Sequence, residues 1–216
     1  PDDVESYAER RLYEMLREQL PDEWRVFYHA RWLARSTRQG AQDGEIDFCI
    51  VSPEHGILVL EVKGGQIRVD GESGQWYSNG LPIQDPLAQA DRSMRSLIAK
   101  MDDLPLWRSS RRPFVARAVA FPDVEVDRPL RPDAPAEIVL DARTMHYLPE
   151  WCEGVYAFFG RQEPLRPADM QALTDLLAPQ RTLRLSMTEA IARDEEQIIE
   201  LTEGQYTLLD FLQYQR

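Results

Sequence analysis

A chain of 216 residues can bury one sizeable α/β core and is short for two full domains. Its 43% hydrophobic and 29% charged content is that of a soluble globular protein, and no apolar run nears the roughly 20 residues that cross a bilayer, so no membrane partner is expected. A net charge of −12 argues against a protein that grips nucleic acid over a broad basic face, but leaves room for an acidic pocket whose substrate is held elsewhere.

Residues 2–20, DDVESYAERRLYEMLREQL, predict a helix opening at an acidic cap, with Val4, Tyr7, Leu12, Leu16 and Leu20 at helical spacing and Pro21 beyond its end. WRVFYHARWL (24–33) predicts a strand, and STRQGAQDG (36–44) a polar loop. Two strands follow at 45–51 and 57–63, joined by SPEHG. Short strands with glycine turns are expected over 64–83, and then a helix over 85–101 with Asp85 as cap and Pro86 in its first turn. Strands at 115–122 and 136–141, a long proline-rich loop over 122–135 and a helix over 166–179 complete a mixed α/β domain ending near residue 180. Cys49 and Cys152 lack metal-type spacing and read as buried reduced thiols, which with the acidic, unsignal-like N-terminus points to a cytoplasmic protein.

The hairpin GEIDFCIVSPEHGILVLEVKGG (44–65) carries the chemistry. With SPEHG as the turn, Val51 faces Ile57, Asp47 faces Glu61 and Glu45 faces Lys63. Glu45, Asp47, Cys49 and Val51 then share a face with Ile57, Val59, Glu61 and Lys63. The opposite face (Ile46, Phe48, Ile50, Leu58, Leu60, Val62) is apolar and packs into the core, which fixes the register. Opposed carboxylates repel and call for a proton or a cation. Mg²⁺ or Mn²⁺, which takes oxygen ligands and keeps several waters, suits two carboxylates plus a phosphate. The basic residues are 23 Arg and only two Lys, so Lys63 is a chosen point donor rather than any positive charge. The plainer alternative is a Glu45–Lys63 ion pair with Asp47 and Glu61 solvated at the sheet end.

Asp47, thirteen intervening residues and then Glu61-Val62-Lys63 resemble the core of PD-(D/E)xK nucleases. With AERRLYEML (8–16), WYSNG (76–80) and DPLAQA (85–90) in order, residues 5–100 resemble a NERD (nuclease-related) domain. The resemblance implies a restriction-endonuclease-like core: a mixed central sheet flanked by helices. It implies a metal-dependent nuclease acting on single- or double-stranded DNA, with Asp47, Glu61 and Glu9 on Mg²⁺ or Mn²⁺, Lys63 as catalytic lysine and Gln89 reaching the same site. Glu9 and Gln89 are otherwise plain helix-surface groups. Glu45 is taken as the partner of Lys63 rather than an acid supporting the site. The triad is intact, yet such cores also serve idle nucleic-acid-binding or docking roles, and no residue excludes RNA.

His29, His55 and His146 form no zinc or nucleophile pattern, and no glycine-rich phosphate loop is present. Trp76, Tyr77, Trp107 and Trp151 are expected to pack rather than to stack on bases. The acidic segment 183–216 ends in LTEGQYTLLDFL (201–212), which resembles the stretch ahead of the phosphate loop in superfamily 1 helicases, with Gln205 matching an adenine-reading glutamine. The expected organisation is a nuclease domain over 1–182 and, from 183, a linker into a truncated helicase partner.

Overall fold

The computed structural model describes residues 6–36, 40–108, 110–160 and 164–178. The chain divides into two compact units, Pro1–Pro179 and Gln180–Arg216. The second lies wholly outside the described residues, as do Gln205 and the helicase-like segment.

The elements in chain order are α1 (Tyr7–Gln19), β1 (Arg25–Ser36), β2 (Gly40–Ser52), β3 (Gly56–Val62), β4 (Ile67–Val69), β5 (Trp76–Ser78), β6 (Leu81–Ile83), α2 (Pro86–Asp102), α3 (Pro105–Arg108), β7 (Val115–Phe121), β8 (Val139–Asp141), α4 (Leu148–Phe158) and α5 (Pro167–Leu177). Single 3-10 turns precede β8 at Ala136–Ile138 and α4 at Thr144–Tyr147. One five-stranded sheet runs β1-β2-β3-β7-β8, antiparallel from β1 to β3 and parallel from β3 to β8. It is therefore a mixed sheet flanked by helices, as expected. The parallel β3–β7 pair requires a crossover, which α2 supplies, and β4-β5-β6 form a separate antiparallel meander within that connection.

The sheet is covered on both faces. One cluster joins Phe48, Ile50, Leu58, Leu60 and Val62 to Leu12 and Leu16 of α1 and to Trp151 and Val155 of α4. The other joins Cys49, Val51, Ile57 and Val59 to Leu97 and Met101 of α2, Trp107 of α3 and Leu173 of α5. All seven residues of β3 are buried, which explains its nearly unbroken apolar sequence. The expectation that one hairpin face carries the charges is corrected accordingly: Cys49, Val51, Ile57 and Val59 are core, and the charged residues of the two hairpin strands lie toward the open end. Burial pushes the Cys49 thiol up to about 12 and that of Cys152 higher still, and both cysteines are free.

The expected turn at 52–56 forms, with Ser52 opposite Gly56. Gly56 sits at φ +120°, and a Cβ there would lie 2.7 Å from the Phe114 carbonyl oxygen. The first helix is capped by Ser6, whose hydroxyl accepts the Glu9 amide, rather than by an acid; residues 1–5 lie outside the described set. The expected 36–44 loop is largely strand, because β1 and β2 pair through Ser36↔Gly40. Asp85 does cap α2, accepting the Leu87 and Ala88 amides, with Pro86 in the first turn. Helix α4 was not expected, although Leu148, Trp151, Cys152, Val155 and Tyr156 repeat at helical spacing and are all buried. No helix among the described residues is long and apolar enough to cross a membrane.

Phe48 is fully buried at the centre of the first cluster. Phe48→Ala should cost about 3–5 kcal/mol in denaturant unfolding. Leu81, 70% exposed, should tolerate alanine within about 0.5 kcal/mol.

Candidate active site

The β2–β3 ladder follows the expected register from Ser52↔Gly56 to Phe48↔Leu60 and stops there. Ile57 and Lys63 donate their amides to Phe114 and Ala120 at the β7 edge. By strand alternation the Val62 amide points the other way, toward β2. Its partner is a side chain, the Asp47 carboxylate, whose Oδ2 accepts it at 2.8 Å. Beside it Glu61 is 6% exposed, and the Lys63 ammonium donates to its Oε1 at 2.7 Å. Asp47, Glu61 and Lys63 therefore meet where the chain leaves the sheet.

A break in the pleat accompanies this opening. His29 has φ +52°, and the β1–β2 pairing skips His29 opposite Asp47 between Tyr28↔Phe48 and Ala30↔Ile46. Side chains change faces there: Phe27 and Cys49 lie in the second cluster before the break, and Ala30 and Ile46 lie in it after. Ile46 is thus not on the Phe48 face, where simple alternation would put it.

Glu45 is corrected as well. Its Oε1 takes His29 Nε2 at 2.8 Å and Arg31 Nη2 at 2.9 Å, so it serves β1, and Lys63 is left to Glu61. Glu9 reaches the site from α1. Tyr28 donates to its Oε2 at 2.7 Å and Ser6 to its Oε1 at 2.9 Å, and its charge acts on Asp47. Close packing brings α1 here: a Cβ on Gly64 would lie 2.8 Å from Ala8 Cβ and 3.2 Å from Asp123 Oδ2. Gln89 lies in the first turns of α2, its Oε1 buried without a hydrogen-bond partner.

Sequence reasoning missed Tyr28, which anchors Glu9, and Asp123, whose Oδ2 accepts the Gly65 amide at 2.8 Å just past Lys63. A tyrosine within an aromatic strand gives no local signal of this role. The position of Asp123 directly after VAFP was a signal that went unused. Trp76, Trp107 and Trp151 are buried as expected, and Tyr77 lies under the Arg68 guanidinium. His55 stacks on Tyr156, a packing role.

Burial, then the neighbouring Glu61, pushes the Asp47 carboxyl up to about 6 against the Val62 amide and Lys63, which pull it down. Two fully buried acids elsewhere behave differently. Burial also raises Asp141 and Asp169, but amide and hydroxyl donors around the first, and Arg166 with Trp107 around the second, outweigh it and hold both below the ordinary value. Asp141 and Asp169 are structural, whereas Asp47 is held in conflict with Glu61, the pattern of a functional carboxylate pair. Among the described residues no three His, Cys, Asp or Glu side chains gather as a ready metal cage.

The model of the nuclease-related domain, NERD, matches residues 5–122, more than half of the chain. The chain belongs to the NERD family. Neither the curated proteins nor the solved structures yield a match. The matched span runs from the start of α1 to the end of β7, so it takes in Glu9, Asp47, Glu61, Lys63 and Gln89 and gives this NERD chain a nuclease-related character.

Because the folded Asp47 carboxyl binds its proton more tightly than the ordinary 3.8, stability falls as pH rises from 3.8 to about 6, and the cost is fully present above that. Asp47→Asn keeps an acceptor for the Val62 amide and removes the charge. The variant should exceed the wild type at pH 8 by roughly 2–3 kcal/mol and match it near pH 4, as read by urea unfolding.

Proposed function

We propose that this NERD domain hydrolyses phosphodiester bonds of DNA with a divalent cation, Mg²⁺ or Mn²⁺, held by Asp47 and Glu61. The observation that supports the reading most is the half-buried Asp47 beside the buried Glu61, a pair that relieves its repulsion by taking up a proton or a cation. The donor set is all oxygen, which fits a hard cation. Two carboxylates leave most coordination positions to water and to phosphate oxygens. A cation bound there would polarise the scissile phosphate and acidify a bound water.

The chain's own groups supply the rest. Lys63, leaving Glu61 Oε1, orients the attacking water and offers a proton to the developing negative charge. Glu9, fixed by Tyr28 and Ser6, adds negative charge that favours cation binding without blocking Asp47. Gln89, with its buried unpartnered carbonyl oxygen, positions solvent or substrate. The Asp47, Glu61 and Lys63 set supports reading the site as one of PD-(D/E)xK type, and the resemblance of 201–212 to a helicase segment supports coupling with a motor. A second reading, an idle docking module regulating that motor, is favoured by the commitment of Glu9, expected among the metal ligands, to Tyr28 and Ser6.

Cleavage of labelled single- and double-stranded DNA in Mn²⁺, beside calorimetric Mn²⁺ titration, separates them. Wild type should bind and cleave. Asp47→Ala should lose both, while Lys63→Ala should keep binding and lose at least 100-fold in rate, the order expected of a group acting on the reacting water. Binding without cleavage in the wild type would favour the docking module, and no binding would remove the metal reading.

A further inference from the structure

The chain carries −12 overall, but its charge is unevenly placed. Residues 86–117, which span α2, α3 and the entry to β7, hold seven Arg or Lys against three Asp. Helix α2 buries Leu87, Ala90, Leu97 and Met101 against the sheet and exposes Ala88, Arg92, Arg95 and Ala99, a stripe at helical spacing. The two alanines keep the stripe low, and Arg95 stands 74% exposed. Since α2 returns the chain from the end of β3 to the start of β7, its first turn lies at the Lys63 end of the sheet and its last at the opposite end. There Arg111, Arg112 and Arg166 line an opening of about 230 Å³ with Pro113, Pro164 and Asp169. Asp169 is committed to Arg166 and Trp107, Asp102 to Arg112, and Asp91 to Arg95 at 2.7 Å, so the guanidiniums are held in place while the ensemble stays net positive.

We infer that the outer face of α2 and this arginine-lined opening form one track for a nucleic-acid backbone, leading from the carboxylate site to the far end of the sheet. The inference rests on the proposed function for its occupant. Charge complementarity carries it: guanidinium forks match phosphate oxygens, and the helix that carries Arg92 and Arg95 starts at the end of the sheet where the scissile phosphate would lie. The span suits several phosphates, since 17 helical residues cover about 25 Å, roughly seven base pairs of duplex. The track also accounts for an acidic chain handling a polyanion, because only one strip of its surface needs to be basic.

The test is a salt titration of binding to a labelled DNA duplex in Ca²⁺, with the full chain carrying Arg92→Gln/Arg95→Gln or Arg111→Gln/Arg112→Gln. Arg166 is left intact because it holds Asp169. Each pair should weaken binding at least tenfold and lower the slope of log affinity against log salt by about 2, near one for each phosphate no longer neutralised. Lysine at the same positions should restore the slope. Melting temperatures and Mn²⁺ titration should match wild type, since neither pair touches Asp47 or Glu61. Wild-type affinity and slope in both pairs would overturn the track while leaving the metal reading intact. A wild type that binds no duplex would overturn it too. Loss of Mn²⁺ binding in the wild type, with the slope changes present, would instead fault the carboxylate reading.

Discussion

The Val62 amide donates to a side chain where a sheet would ordinarily offer a backbone carbonyl, and the site is organised around that substitution. Asp47 Oδ2 closes the hydrogen bond at 2.8 Å, so no buried donor is left orphaned as β2 and β3 part. The same bond draws a carboxylate into partial burial beside Glu61. A backbone requirement thus enforces an electrostatic conflict, and the conflict is what a hard cation could resolve. Lys63 relieves it only in part, because its ammonium is on Glu61 Oε1.

The surrounding layers hold that point in place. α1 closes on β3 at Gly64, where no Cβ would fit, and this close approach brings Glu9 into range. Tyr28, just before the pleat break at His29, fixes the Glu9 carboxylate. β7 holds the Lys63 amide through Ala120, and two residues past its end Asp123 accepts the Gly65 amide. Within the matched NERD span, α1, β1, β2 and β3 thus meet at the exit of a single strand.

Much of this was legible in the residues. The register through Phe48↔Leu60 followed from turn chemistry and apolar pattern, and the mixed α/β class from element order. What lay out of reach was the break itself. Strict alternation put Asp47 on the face of Cys49 and gave Glu45 to Lys63, because a positive φ at His29 leaves no mark in a strand-like sequence. Beyond Cys49, whose burial is expected, the second face escapes the sequence because strict alternation places Val51, Ile57 and Val59 beside charge rather than in a core. The polar stretch 36–44 read as loop because composition cannot reveal that β1 and β2 extend each other by pairing. Helix α4 was overlooked with Gly154 in its midst, although its apolar spacing was there to be counted. The basic strip on α2 was hidden by the overall charge, which averages away a pattern visible only once the buried face is known.

The most direct measurement is the carboxyl titration of Asp47 by carbon-detected NMR, with and without Mg²⁺. The account predicts an apparent midpoint about 6 in the free protein, well above the ordinary 3.8, falling by at least about one pH unit in saturating Mg²⁺. A midpoint near 3.8 that Mg²⁺ does not move would mean that Asp47 and Glu61 are not in conflict, and the cation site would have no physical basis.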